Sequence, residues 1–187
     1  MNIMRYFIPS AVAVVAAAGF TSCLGDDDNT YDYNEWKNQN ENYYTRMQDT
    51  VGADGQKVYE KIVPIWAPGV SILAKWHNDR SLTAGNLVPM DNSTVDIVYE
   101  GKYYNGVRFD SSFSRTEHGD SIYRCMPKNM VSGFWTMLTN MHVGDSVTCI
   151  IPYSAGYGAS SSGIMPYSTL VFEIKLKSIY KYEMADR

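Results

Sequence analysis

The sequence predicts an α+β domain, in which a sheet of antiparallel-type strands carries one short packed helix. Three observations point there. Val95, Ile97 and Tyr99 alternate with Asp96, Val98 and Glu100, the two-residue period of a strand with one buried face. Leu170, Phe172, Ile174 and Leu176 alternate in the same way with Val171, Glu173, Lys175 and Lys177. Between these strands, Phe134, Met137, Leu138 and Met141 mark one face of a helix that ends by Gly144. An α+β fold follows from this order.

From the N-terminus, Arg5 precedes a mostly apolar run, Tyr6 to Phe20, and then Thr21-Ser22-Cys23. The run is shorter than the about 20 residues of a membrane span and suits a secretory signal. A cysteine just after small residues looks like a bacterial lipobox, in which Cys23 would bear the lipid. The expected division is a signal peptide over 1–22 and an acidic tether over 23–32, containing Asp26-Asp27-Asp28. That acidic run resembles a surface-export signal of some Gram-negative lipoproteins. The expected location is the cell envelope of a Gram-negative bacterium, as an outer-membrane lipoprotein on its periplasmic or surface-exposed face.

An N-terminal helical extension follows over 33–57, because Trp36, Asn40, Tyr43-Tyr44 and Met47 recur at helical spacing from Tyr33 to Asp49. Asp54-Gly55 breaks it with a turn. Strands are expected at Val58–Ile65 and Val70–Trp76, separated by Pro64 and Pro68, with Asn78–Pro89 as loop. After the strand from Thr94, Asn105-Gly106 signals a two-residue hairpin. Tyr123–Met126 and Val147–Ile151 read as strands, with a long loop over 152–168 before the last strand. The main domain is placed at 58–180 and a C-terminal tail at 181–187.

Composition narrows the function. The chain has 187 residues, 45% hydrophobic and 19% charged, an ordinary globular balance, with 15 tyrosines. Its formal charge is −4, and removing residues 1–22 takes away Arg5 and no acid. A mildly acidic chain without a basic cluster argues against nucleic acid and against electrostatic docking on anionic lipid, which leaves a lipid anchor as the membrane tie. Cys125 and Cys149 fit either a disulfide or two buried free thiols. No CxxC or Cys/His spacing suggests zinc, and His77, His118 and His142 lie far apart.

The pieces VDIVYEGKYYNGVRFDSS, VSGFWTMLTNMHVGDSVTCIIP, SAGYG and GIMPYSTLVFEIKLKSI run in order between Thr94 and Ile179. In that order and spacing the stretch resembles the FKBP family of peptidyl-prolyl cis-trans isomerases. The resemblance implies a twisted antiparallel sheet wrapped around one short helix, with an aromatic pocket between them and no cofactor or metal. Carried over by position, Tyr99, Asp110 and Tyr157 are the expected catalytic residues, with the Tyr157 hydroxyl meeting the substrate carbonyl. Phe109, Met130, Val131, Phe134, Ile164 and Phe172 would line the apolar walls. Phe134 stands where the family usually has tryptophan, and Trp135 where it usually has an acid. Ser121 falls near a common aromatic position, for which Tyr123 could substitute. Arg115 could bridge Asp110 across the loop, but it reads better as a solvated loop residue.

The implied reaction explains why no nucleophile–base pair is visible. Rotating a prolyl bond makes and breaks no covalent bond, and only amide resonance is lost. The expected function is a membrane-tethered isomerase acting on proline-containing segments of exported proteins. The alternative is a catalytically weak FKBP-like binding or chaperone module for proline-containing or apolar segments. A third reading, in which Trp36, Tyr43 and Tyr44 form a surface for glycan or a partner, competes with packing of the same rings.

Overall fold

The structure is a computed structural model that describes residues 33–64, 67–160 and 163–183. The signal peptide, Cys23 and the acidic tether lie outside the described residues. Helix α1 spans Tyr33–Asp49, with Glu35 in its first turn and Arg46 in its last, signs that suit the helix dipole. Strands β1 (Glu60–Ile62) and β2 (Ile72–Trp76) follow, then β3 (Thr94–Tyr103), β4 (Arg108–Ser111) and β5 (Tyr123–Cys125). Helix α2 is Ser132–Leu138, and β6 (Ser146–Ile151) and β7 (Leu170–Lys181) complete the sheet. The α+β expectation holds.

The sheet runs β1-β2-β6-β7-β3-β4, and every pairing is antiparallel. β5 joins β3 upstream of β4, pairing Val95 with Cys125 and Ile97 with Tyr123. β3 therefore meets β7 along one edge and both short strands along the other. Its alternation is realised as read: Val95, Ile97 and Tyr99 are buried, as are Leu170, Phe172, Ile174 and Leu176 across the ladder. Phe134, Met137, Leu138 and Met141 complete this core, and α2 packs against β6 and β2. Among the described residues no helix is long and apolar enough to cross a membrane.

Several details differ from the sequence reading. α2 starts two residues before Phe134 and ends at Leu138, where Thr139 turns its hydroxyl back onto the Trp135 carbonyl. The first strand shrinks to Glu60–Ile62, consistent with Pro64 beyond it, which has no N–H to give a ladder. The hairpin after β3 has three loop residues, 104–106, instead of two. Tyr103 and Val107 close it, and Gly106 alone takes a positive φ of 85°. Asn105 keeps a negative φ because its side-chain oxygen accepts from the Val107 N–H at 3.1 Å. β7 extends to Lys181, so the start of the expected tail is strand. Both described cysteines are free thiols, and burial pushes Cys125 up to about 12 and Cys149 higher still.

One polar knot fastens the turn before β6. Asp145 has no solvent exposure and accepts from Thr83 Oγ1 at 2.6 Å, His142 N–H at 2.8 Å and Asn78 Nδ2 at 3.0 Å. Arg80 Nε approaches Oδ2, the oxygen that also accepts from the His142 N–H, at 3.4 Å while stacking over Trp76. Burial alone would raise this carboxyl, but the donors and Arg80 outweigh it and hold it below the usual range. A depressed native pKa means the stabilisation is complete above the unfolded value, about pH 4, and is lost as pH falls. Asp145→Asn should cost about 2 kcal/mol at pH 7 and shrink that deficit at pH 3, as read by urea unfolding at both pH values. An equal deficit at the two pH values would contradict this account.

Candidate active site

β3 builds the first half of the site. Alternation turns Tyr99 inward, where it is 3% exposed, and its hydroxyl donates to Asp110 Oδ2 at 2.6 Å. Asp110 lies on β4 opposite Gly101 and anchors its other oxygen on the Ser111 N–H at 2.8 Å. Burial pushes the Tyr99 phenol far up, and the neighbouring Asp110 carboxylate adds to the shift. Tyr99 is therefore a fixed, protonated donor that orients the carboxylate.

Ring packing joins this pair to α2 and β7. Phe134 meets Phe172 edge-on at 4.9 Å and Tyr99 at 6.0 Å, and Phe172 meets Phe109 edge-on at 5.6 Å. Tyr103 lies against the outer side of Phe109 at 5.1 Å, and Tyr123 tilts against Tyr99 at 5.5 Å. These separations are those of favourable aromatic pairs, worth about 0.5–1.5 kcal/mol each beyond burial. Phe134 is fully buried, whereas Phe109, Met130, Val131 and Ile164 are partly buried against the same cluster. Phe109 and Asp110 also wall an open hollow of about 500 Å³.

The second half comes from the segment after β6. A single 3-10 turn, Tyr153–Ala155, throws the chain outward and delivers Tyr157, which is 44% exposed. Among the described residues its hydroxyl has no protein partner. Partial burial raises its pKa, and the Asp110 charge adds to the shift. At neutral pH Tyr157 carries its proton and can donate it in a hydrogen bond. A larger hollow of about 720 Å³ lies beyond this loop, between Ala159, Ser160 and Tyr167 on one side and Lys37 of α1 on the other.

Of the residues expected from the sequence, Tyr99, Phe109, Phe134 and Phe172 share one ring cluster, Asp110 is bonded to it, and Met130, Val131 and Ile164 pack against it. Tyr157 instead stands partly exposed on its loop. Arg115 departs from its reading. It is half-buried instead of fully solvated: its guanidinium lies 4.5 Å over the Tyr123 ring, and its Nε is shielded from solvent. Its charge partly offsets the upward push on Tyr99. A basic residue in a polar loop gave no periodic signal for this placement. Tyr103 was also missed. Ser121 adopts a positive φ of 61°, so it turns the chain at a position where the family often has a ring. No group of three or more His, Cys, Asp or Glu among the described residues could hold a metal ion.

An antiparallel sheet packed on one short helix, with a buried ring cluster beside a tyrosine–aspartate hydrogen bond, defines the class of domain. Residues 85–177 match the FKBP-type peptidyl-prolyl cis-trans isomerase family. Through this domain the chain belongs to that family. It is 37% identical over 95 residues to the FKBP-type 22 kDa peptidyl-prolyl cis-trans isomerase of Escherichia coli, covering 49% of this chain and 44% of that one. It is 33% identical over 99 residues to FkpA of the same organism, covering 52% and 35%. To the peptidyl-prolyl cis-trans isomerase Mip of Coxiella burnetii it is 32% identical over 117 residues, covering 61% and 49%. The chain thus spans less than half the length of these relatives. The fold is similar to that of a crystallised peptidyl-prolyl cis-trans isomerase from Pseudomonas syringae, with TM-score 0.61 and 22% identity over 80% of this chain and 96% of that one. The E. coli FkpA structure gives TM-score 0.60 at 22% identity, over 80% and 63%.

Proposed function

We propose that the protein is a membrane-tethered peptidyl-prolyl isomerase that assists the folding of exported proteins. The observation that carries this reading is the Tyr99–Asp110 hydrogen bond held beside the Phe109–Phe172–Phe134 ring cluster. The reaction needs nothing more reactive. The barrier to prolyl rotation is about 18–20 kcal/mol and arises from lost amide resonance. The two isomers differ by only about 0.5–1 kcal/mol.

A planar amide is more dipolar than a twisted one. Moving it from water to an apolar wall therefore raises the ground state more than the transition state. Phe109, Met130, Val131, Ile164 and Phe172 supply the wall, and Phe134 supports it from beneath. The Tyr157 O–H donates to the rotating carbonyl, and the Asp110 carboxylate, oriented by Tyr99, faces its carbon. Each 1.36 kcal/mol of difference gives tenfold in rate, so a 10⁵-fold acceleration needs about 7 kcal/mol.

Turnover of a tetrapeptide containing Leu-Pro-Phe by residues 24–187 tests the reading. Tyr157→Phe removes one hydrogen bond and should lower kcat/KM up to about tenfold with little change in stability. A wild-type rate equal to buffer would remove the isomerase. A second reading is favoured by the full burial of Phe134: a module that binds prolyl or apolar segments without useful turnover. Peptide binding without rate enhancement would establish it. The tether rests on Cys23 and the apolar run before it, and Cys23→Ala should abolish incorporation of labelled fatty acid.

A further inference from the structure

Helix α1 is fastened at two places that flank the candidate site. Asn40 is fully buried and accepts from the Thr169 N–H through Oδ1 at 2.6 Å, while the Thr169 hydroxyl donates to the Asn40 carbonyl at 3.0 Å. Asn40 Nδ2 donates to the Trp36 carbonyl at 2.8 Å. The Trp36 indole N–H donates to Ser168 Oγ at 3.3 Å, and Ser168 donates onward to the Met165 carbonyl at 2.6 Å. Ser168 and Thr169 close the segment that carries Tyr157 and Ile164. The Tyr167 N–H ties that segment to Gly158, the residue after Tyr157, at 2.9 Å.

The other fastening is aromatic. Trp36 meets Tyr103 edge-on at 5.7 Å and Tyr104 at 5.0 Å. Tyr103 in turn backs Phe109, and Phe109 packs on Phe172. One indole therefore touches the root of the Tyr157 segment and the support of the Phe109 wall. α1 adds little to the core, since only Trp36 and Asn40 of its 17 residues are buried. Its contacts are instead directional hydrogen bonds and ring edges, which fix geometry more than they add burial.

We propose that Trp36 is a positioning residue, setting the separation between the Tyr157 segment and the Phe109 wall, so that α1 is a working part of the active site. The inference rests on the isomerase reading for its effect on rate, though its effect on loop geometry does not. A wall displaced by about 1 Å costs up to 10²-fold in rate. In the full chain, Trp36→Ala should lower kcat/KM of the Leu-Pro-Phe peptide by about tenfold. The urea midpoint should fall as well, since a buried ring is lost, but at low urea, where the protein is folded, the change should fall mainly in kcat. Trp36→Phe keeps a ring against Tyr103 and should recover most of the loss.

Ser168→Ala guards against a variant that does not fold, because it keeps the indole in place and removes only the Ser168 hydroxyl, which is the acceptor of the indole N–H and the donor to the Met165 carbonyl. It should speed hydrogen exchange at the Gly158 and Tyr167 amides while leaving the β6–β7 ladder unchanged. Exchange is measured without turnover, so it decides the matter even if the wild type proves inactive. Wild-type exchange at those two amides in Ser168→Ala, or wild-type kcat in a folded Trp36→Ala protein of an active enzyme, overturns the proposal.

Discussion

Gly101→Ala is expected to remove most turnover while the protein still folds. A Cβ at this position would lie 2.6 Å from Phe172 Cε1 and 2.8 Å from Phe109 Cζ, far inside the separation at which carbon atoms attract. The strand cannot slide away, because Gly101 is held in register between Asp110 on β4 and Phe172 on β7. Both rings must turn instead. Overpacking of this kind costs about 1–3 kcal/mol, which a domain of this size survives. The functional cost is larger, because the same rings are the proposed pocket wall, and their displacement should lower kcat/KM by about 10²-fold. Peptide turnover beside urea unfolding separates the two effects. Undiminished turnover would show that these rings do not shape the site.

Phe134→Ala should have the largest effect on stability. The ring is fully buried and touches Phe172 and Tyr99, one from each of the paired strands β7 and β3. Deleting it leaves a cavity between helix and sheet that rigid strands cannot close. The expected loss is about 3–5 kcal/mol, read from urea unfolding at neutral pH. A loss below about 1 kcal/mol would mean that the helix settles onto the sheet, against the close packing of such interiors.

Much of this was legible from sequence because it is periodic. β3 and β7 each expose a two-residue rhythm, and α1 showed its buried Trp36 and Asn40 four residues apart. Features that depend on distant partners were not. Asn40 meets Thr169 across 129 positions, and nothing around either residue announces the other. Arg115 reads as polar loop, yet the fold lays it over Tyr123. The hairpin failed for a local reason: the Asn105 side chain stabilises a negative φ that a two-residue turn would not allow. Names of site residues came from resemblance and their assembly from the fold, while their roles await the kinetic tests above.

The strand order carries a temporal consequence. β7 lies between β6 and β3, so within the sheet it is the strand that joins the half bearing Tyr99, Phe109 and Asp110 to the half that precedes Tyr157 and supports Phe134. A chain made from its N-terminus possesses every proposed pocket residue but Phe172 before Leu170 exists, and still has no pocket. Closure over such long separations is intrinsically slow. Competence arrives late and all at once, when the final ladder zips two unfinished hemispheres into one.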